Sequence, residues 1–249
     1  MTAISSQQPA TRQVIWKKLG LRPYTEVLAL QRQLVEQRQR DEAPDTIILC
    51  EHPSTYTLGI GAAAPDILDA GNVPVIRIGR GGGATYHGPG QLVGYPILRL
   101  RDWGWRVSDY LCALERALIA TVQSVGVDAH REGPTRGVYV EERKIASIGI
   151  QVSRGVVWHG FALNVSCDLS AFDRITPCRR PGTRMTSLAH ELHTAIAMEA
   201  VQCAFVQQLK IRTIYGTLCA WEVSRHDDID GQQGQGATLQ AAGSDCGLA

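Results

Sequence analysis

The sequence predicts an α/β chain of the α+β kind, one domain in which a mixed, largely antiparallel sheet is flanked by helices. Three observations carry this. Two segments have the three-and-four spacing of amphipathic helices, short β-branched runs bounded by turn formers lie between them, and residues 137–165 read as a meander of adjacent strands. At 249 residues and 44% hydrophobic content, the chain is long enough to bury one sizeable core.

The first element follows Pro23, where PYTEVLALQRQLVEQRQR places Val27, Leu30 and Leu34 on one stripe. Proline is tolerated in the first helical turn, because its missing N–H would have no intrahelical partner there. TIILC at 46–50, VIRI at 75–78 and LVGYPILRL at 92–100 are then predicted strands. The second helix starts at Ser108 as N-cap, carries Leu111, Leu114, Leu118, Val122 and Val125, and stops at Gly126. GVYV, KIASIGIQV and VVWHGFALNV, separated by a polar EER turn and by Arg154-Gly155, form the meander. Residues 166–185 lack periodicity and hold proline, glycine and arginine, the signature of a long ordered loop of the functional length class. A helical region from Thr186 to Leu209 closes the core. The domain is expected to span 13–222, after a flexible N-terminus at 1–12 and before a disordered tail at 223–249 that is rich in glycine, glutamine and alanine.

Composition narrows the function. The formal charge of +1, from 25 basic and 24 acidic residues, gives no global field to gather nucleic acid or an anionic membrane. No apolar run reaches signal-peptide or membrane-spanning character, so the expectation is a soluble, cytoplasmic protein. Seven cysteines, at 50, 112, 167, 178, 203, 219 and 246, form no CxxC pair, which argues against a disulfide framework and a zinc ribbon alike. No metal and no cofactor is expected. Cys112, Cys203 and Cys219 lie in helix-like apolar stretches, where a thiol packs as a small hydrophobe.

The most unusual stretch is Arg80-Gly81-Gly82-Gly83-Ala84-Thr85-Tyr86-His87-Gly88-Pro89-Gly90-Gln91, directly after VIRI. Consecutive glycines let a backbone lie against a ligand and present its amides to it. The spacing Gly79-x-Gly81-x-x-Ala84 fits a dinucleotide fingerprint, but Pro89 falls where the required helix would propagate, at a cost of about 3 kcal/mol. No GKS or GKT is present, which excludes a P-loop.

RGGGATYHGPGQLVGYPIL resembles the signature of the lipoyl(octanoyl) transferases, the octanoyltransferases of protein lipoylation. EHPSTYTLG at 51–59, KIASIG at 144–149, HGFALNV at 159–165 and the segment from Pro177 to Leu188 are similar to that family's motifs in order and spacing, over roughly residues 14–210. The resemblance implies the catalytic fold shared with biotin and lipoyl protein ligases. It also implies transfer of an octanoyl group from acyl carrier protein to a lysine of lipoyl domains, those of 2-oxoacid dehydrogenase E2 subunits and the glycine cleavage H protein, by a monomeric acyltransferase.

The resemblance assigns Cys178 as the nucleophile that holds the acyl group as a thioester, and Lys144 as its activating base. Read alone, Lys144 is a solvated residue after a turn and Cys178 an ordinary thiol. Their chemistry is nonetheless sound. A cysteine of pKa near 8.5 is mostly protonated at neutral pH, and a neighbouring ammonium favours the thiolate; lowering the thiol pKa by about two takes about 2.7 kcal/mol of preference for the charged form. By the same carry-over, Arg80, Gly81, Gly82, Gly83, Ala84, Thr85, Tyr86 and His87, with Ser147, Ile148 and Gly149 and with Gly160, Phe161 and Ala162, line the acyl site. An eight-carbon chain gripped at about 0.8 kcal/mol per methylene contributes roughly 5 kcal/mol. His87 and His159 suit either proton exchange or a structural role, and His190 and His193 a helix surface. Arg179 and Gly83 depart from the family, which usually has glycine and glutamine there.

Two other readings remain open. An ATP-dependent lipoate or biotin protein ligase makes an acyl-adenylate and needs no thiol, and a non-enzymatic acyl-binding protein shows no turnover.

Overall fold

The computed structural model describes residues 14–132, 136–176, 182–213 and 221–224. In chain order these give β1 (Val14–Leu21), α1 (Tyr24–Gln39), β2 (Asp45–Glu51), β3 (Thr55–Leu58), β4 (Val75–Arg77), β5 (Ala84–His87), β6 (Gln91–Arg99), α2 (Val107–Ser124), β7 (Gly137–Val140), β8 (Arg143–Ser153), β9 (Val156–Asn164), β10 (Arg184–Met185), α3 (Leu188–Leu192), α4 (Met198–Thr213) and β11 (Trp221–Ser224). The large sheet runs β10-β8-β9-β6-β2-β1-β11, with β7 also paired to β8, and a small sheet runs β4-β3-β5. The β8-β9-β6-β2 run is antiparallel, while β1 lies parallel to both β2 and β11. The fold is therefore the mixed α/β arrangement that the sequence predicts.

The large sheet is covered on both faces, which explains why its central strands read as continuous apolar runs rather than alternating ones. Ile47, Leu49 and Leu92 pack toward Leu114, Leu118, Val201 and Phe205 of α2 and α4. Their neighbours Ile48, Cys50, Val93 and Ile97 pack toward Val27, Leu28, Leu34 and Val35 of α1. A third cluster lies under the small sheet, where Tyr56, Leu58 and Tyr86 meet Phe172 and Ile175.

Several boundaries differ from expectation. Pro23 is the residue before α1 rather than its first turn. The second helix begins at Val107, not after Ser108, because the Asp109 carboxylate accepts from the Arg106 N–H at 2.9 Å and so caps the earlier start. Gly126 does take the left-handed φ of +93° just past the helix end, and its N–H donates to Gln123 O. The loop at 166–185 contains a 3-10 turn at Leu169–Arg174, opened by the Asp168 side chain accepting from the Ser170 N–H, and ends in the two residues of β10. The helical region from Thr186 is two helices, broken where His193 adopts a φ of +52°. β1, β3 and β5 were not legible as strands: β1 carries two lysines and a glycine, and the other two are four-residue runs inside polar motifs. β11 reaches Ser224, two residues into the segment expected to be tail.

Candidate active site

The glycine-rich segment joins β4 to β5, which flank β3 on either side, parallel and antiparallel respectively. Its carbonyls are tied to the 59–61 turn. Gly59, Ile60 and Gly61 N–H groups donate to Gly83, Arg80 and Gly82 carbonyls at 3.2, 2.9 and 3.0 Å, while Gly81 N–H donates to Ile150 O at 2.8 Å. Such close backbone layering needs glycine: a Cβ on Gly149 would stand 2.9 Å from Gly81 O. The Arg80 guanidinium is buried and turned inward, donating to Thr57 O at 3.1 Å, Thr57 Oγ1 at 2.9 Å and Gly81 O at 3.0 Å. It fixes the loop's shape.

Beneath this loop is a pocket. Of the residues that the sequence puts in the site, Arg80, Gly82, Gly83, Ala84, Thr85 and His87 line it from the loop and β5, Ser147, Ile148 and Gly149 from β8, and Gly160, Phe161 and Ala162 from β9. Two others do not. Gly81 spends its amide on Ile150, and Tyr86 packs the opposite way, its ring 5.5 Å from those of Tyr56 and Phe172 and its hydroxyl 2.9 Å from Ser54 Oγ. Ser147–Gly149 and Gly160–Ala162 meet because β8 and β9 pair in register, Ser147 with Ala162 and Gly149 with Gly160.

Tyr24, Tyr95 and His159 complete the lining, and sequence reasoning did not assign them there. Tyr95 lies inside the GQLVGYPIL motif, so the signal was present but gave no direction to the ring. The Tyr24 and Tyr95 hydroxyls are hydrogen-bonded to each other, and Tyr95 also donates to His52 Nε2 at 2.8 Å, while His52 Nδ1–H donates to Arg22 O. Burial holds all the histidines here neutral, with pKa values lowered to about 4 for His52 and about 3 for both His87 and His159. Burial likewise pushes the Tyr24 hydroxyl up to about 12. His159 adopts a φ of +56° and stacks on Trp158 at 4.1 Å, with neither ring nitrogen hydrogen-bonded. Arg80 apart, the pocket walls are uncharged.

Lys144 stands at the start of β8, three residues before the pocket wall at Ser147, and is only 2% exposed. Its side chain runs along Gly137, where an added Cβ would meet Lys144 Cε at 2.5 Å, and its Nζ is 5.5 Å from the centre of the Tyr139 ring. The chain returns beside it: Arg184 and Met185 of β10 pair in parallel with Arg143 and Lys144, and Thr186 N–H donates to Lys144 O at 2.9 Å.

A line of hydrogen bonds joins this corner to the glycine loop. Arg80 donates to Thr57 Oγ1, which faces His87 Nε2 at 3.5 Å; His87 Nδ1–H donates to Gln91 Oε1, Gln91 Nε2 to Asn164 Oδ1, and Asn164 Nδ2 to Thr186 O, the last three all at 2.9 Å. Gln91 and Asn164 belong to the sequence motifs, yet only the fold reveals that they connect them. Cys178 and Arg179 lie outside the described residues; the described chain on either side is Thr176, whose N–H donates to Asp66 O, and Gly182.

Residues 23–210 match the family of the lipoyl protein ligase A/B catalytic domain. The chain belongs to that family. An octanoyltransferase of Syntrophotalea carbinolica is 46% identical over 190 residues, covering 76% of this chain and 90% of its relative. One from Solibacter usitatus is 47% identical over 180 residues, covering 69% and 82%. Among solved structures, a protein of T. acidophilum described as a lipoate protein ligase, with bound lipoic acid, superposes with a TM-score of 0.68 at 16% identity, covering 86% of this chain and 90% of that one. A lipoate-protein ligase A bound with ATP gives 0.65 at 15% identity, covering 86% and 90%. The structural likenesses establish the fold, and the family relatives bear on the chemistry.

Proposed function

We propose that this chain carries an octanoyl group from acyl carrier protein to the ε-amine of a lysine in lipoyl-domain proteins, by way of a thioester on Cys178 with Lys144 as the activating partner. It is an acyltransferase of protein lipoylation, in keeping with relatives up to 47% identical that are octanoyltransferases. The acceptors in this reading are the lipoyl domains of 2-oxoacid dehydrogenase E2 subunits and the glycine cleavage H protein, and the enzyme acts as a monomer in the cytoplasm. Among the described residues no helix is long and apolar enough to cross a membrane.

The observation that carries the reading is that β8 bears both the buried Lys144 and the pocket wall Ser147–Gly149. An acyl chain held in the pocket thus has its carbonyl end within a few residues' reach of an amine, while its methylenes meet uncharged walls. In the first step Lys144 takes the Cys178 proton, the thiolate attacks the donor thioester carbonyl, the carrier's sulfur leaves and takes that proton from the Lys144 ammonium, and the acyl group rests on Cys178. In the second, the acceptor lysine's amine attacks that thioester, Lys144 takes the amine's proton, and Cys178 departs as thiolate when the amide forms. The support for pairing Cys178 with Lys144 is that Arg184, six residues after Cys178, lies beside Arg143.

Incubating the protein with octanoyl-acyl carrier protein, without ATP, is expected to give an octanoyl adduct on the peptide containing Cys178 by mass spectrometry. Activity that survives Cys178→Ser, with no adduct, would sink the mechanism.

A further inference from the structure

Next to Lys144, and outside the pocket lining, is a charged cluster that the two-step chemistry does not use. Glu115 projects from α2 and is fully buried, a costly place for a carboxylate unless it is paired. Its Oε2 takes Arg131 Nε at 3.0 Å and Arg136 at 3.1 Å, and its Oε1 faces the Gly137 N–H at 3.4 Å. The two arginines are half-exposed and approach from outside, so the carboxylate is the inner anchor for both.

Gly137 is the link to the chemistry. Its φ of +146° is one that residues with a Cβ seldom adopt, and the space a Cβ would fill is taken by Lys144: 2.5 Å to Cε and 3.1 Å to Nζ. The same residue is therefore touched by the lysine's ammonium end and faces Glu115 through its amide. Between Val138 and Tyr139 the β7–β8 register slips, so that Tyr139 comes opposite Lys144. Holding the backbone at 136–137 in place sets the wall against which the ammonium rests.

We propose that Glu115 is a positioning residue for Lys144: by clamping Arg131, Arg136 and the Gly137 amide it keeps the channel of the lysine side chain open and its amine aimed at the reacting groups. Glu115 touches no substrate in this scheme. Because the inference rests on the Cys178–Lys144 reading, its test must separate the two. The charged and titratable groups around the amine that the test engages are Glu115, Arg131, Arg136 and Tyr139.

The experiment compares wild type, Lys144→Met, Glu115→Gln, Glu115→Asp and Arg136→Ala by the rate of iodoacetamide alkylation at Cys178 against pH, read peptide by peptide, and by steady-state octanoyl transfer. Wild type and Lys144→Met come first. If Lys144→Met leaves the Cys178 alkylation profile where it is, the Cys178–Lys144 reading fails, whatever Glu115 does. If it moves the profile to higher pH, Glu115→Gln is expected to move it the same way and to lower kcat by tenfold or more, with KM for the octanoyl donor within about threefold of wild type. Glu115→Asp should recover part of kcat. Arg136→Ala, at a half-exposed position and with Arg131 still paired to Glu115, should give a smaller displacement of the same sign. An unmoved profile and unchanged kcat in Glu115→Gln would overturn the inference. Should Glu115→Gln fail to fold, an unmoved profile in Arg136→Ala would overturn it too, because it would show that loosening the clamp leaves the amine where it was.

Discussion

The pocket under the glycine loop and the corner around Lys144 share β8, yet they are built from opposite materials. The pocket is built almost wholly of neutral groups: backbone amides and carbonyls layered against one another, histidines kept uncharged by burial, and the Tyr24–Tyr95 pair hydrogen-bonded to His52, while its one charged side chain, Arg80, is tied to Thr57 and Gly81. The corner is ionic, with a buried lysine, a buried glutamate and the arginines that neutralise the latter. The difference separates two tasks. In the proposed reaction the uncharged wall grips methylenes without competing for their carbonyl, and the lysine on the same strand, three residues from that wall, acts on the reacting atoms.

The largest test of this division is at Lys144. Replacement by Met keeps the length of the side chain and removes its amine, and the loss of one acid–base group is worth on the order of 10²–10⁴ in rate. Lys144→Met is therefore expected to lower kcat by that range while KM for the octanoyl donor stays within a few-fold and the melting temperature does not fall. A KM that rises in step with the loss of kcat would show that the corner binds the chain as well, and the division would break.

How much of this arrangement was legible in the sequence follows the same line. The glycine loop, the KIASIG strand and HGFALNV announced themselves, because glycine density and ordered motifs are local. The helix stripes on α1 and α2 and the meander were likewise local patterns of period 3.6 and 2. What the sequence did not reveal depends on pairs distant in the chain. Glu115 and Gly137 are 22 residues apart, Gln91 and Asn164 are 73 apart, and nothing in a helical Glu or a strand Asn marks it as buried or as a link. Tyr86 was grouped with its neighbours in the loop motif, although the alternation of a strand turns it from the pocket. β3 and β5 were read only as motif, since Thr55, Tyr56 and Thr57 owe their burial to each other's sheet and not to apolar content.

The neutral side of the division has its own signature in pH. His52, His87 and His159 have pKa values lowered from the ordinary 6.5 to about 4, 3 and 3 by burial. Between pH 6.5 and 5 the native state binds almost no proton at these sites, whereas the unfolded chain does, so stability rises with pH across that window and is lost as the medium is acidified. Each histidine is worth about 2 kcal/mol between pH 7 and pH 5. Urea unfolding across that range should show a steep acid loss, and His87→Gln should remove roughly a third of it. An acid slope that His87→Gln leaves intact would mean that the ring is protonated in the folded pocket and that the walls are not neutral.

The smallest effect belongs to Arg80, the charge that belongs by position to the pocket but by its bonds to the loop. Its guanidinium reaches Thr57 O, Thr57 Oγ1 and Gly81 O at once, a planar fork that a lysine ammonium cannot reproduce. Arg80→Lys keeps the charge and loses part of that geometry, at about 1 kcal/mol for the hydrogen bonds made imperfectly. If the guanidinium serves the loop's shape, this cost appears as a KM for the octanoyl donor raised about fivefold with kcat unchanged, since the wall that grips the chain is looser and the amine at the far end of the line is untouched. If kcat falls instead, the line from Arg80 through Thr57, His87, Gln91 and Asn164 to the Lys144 carbonyl transmits the disturbance, and the pocket and the corner work as one unit rather than two.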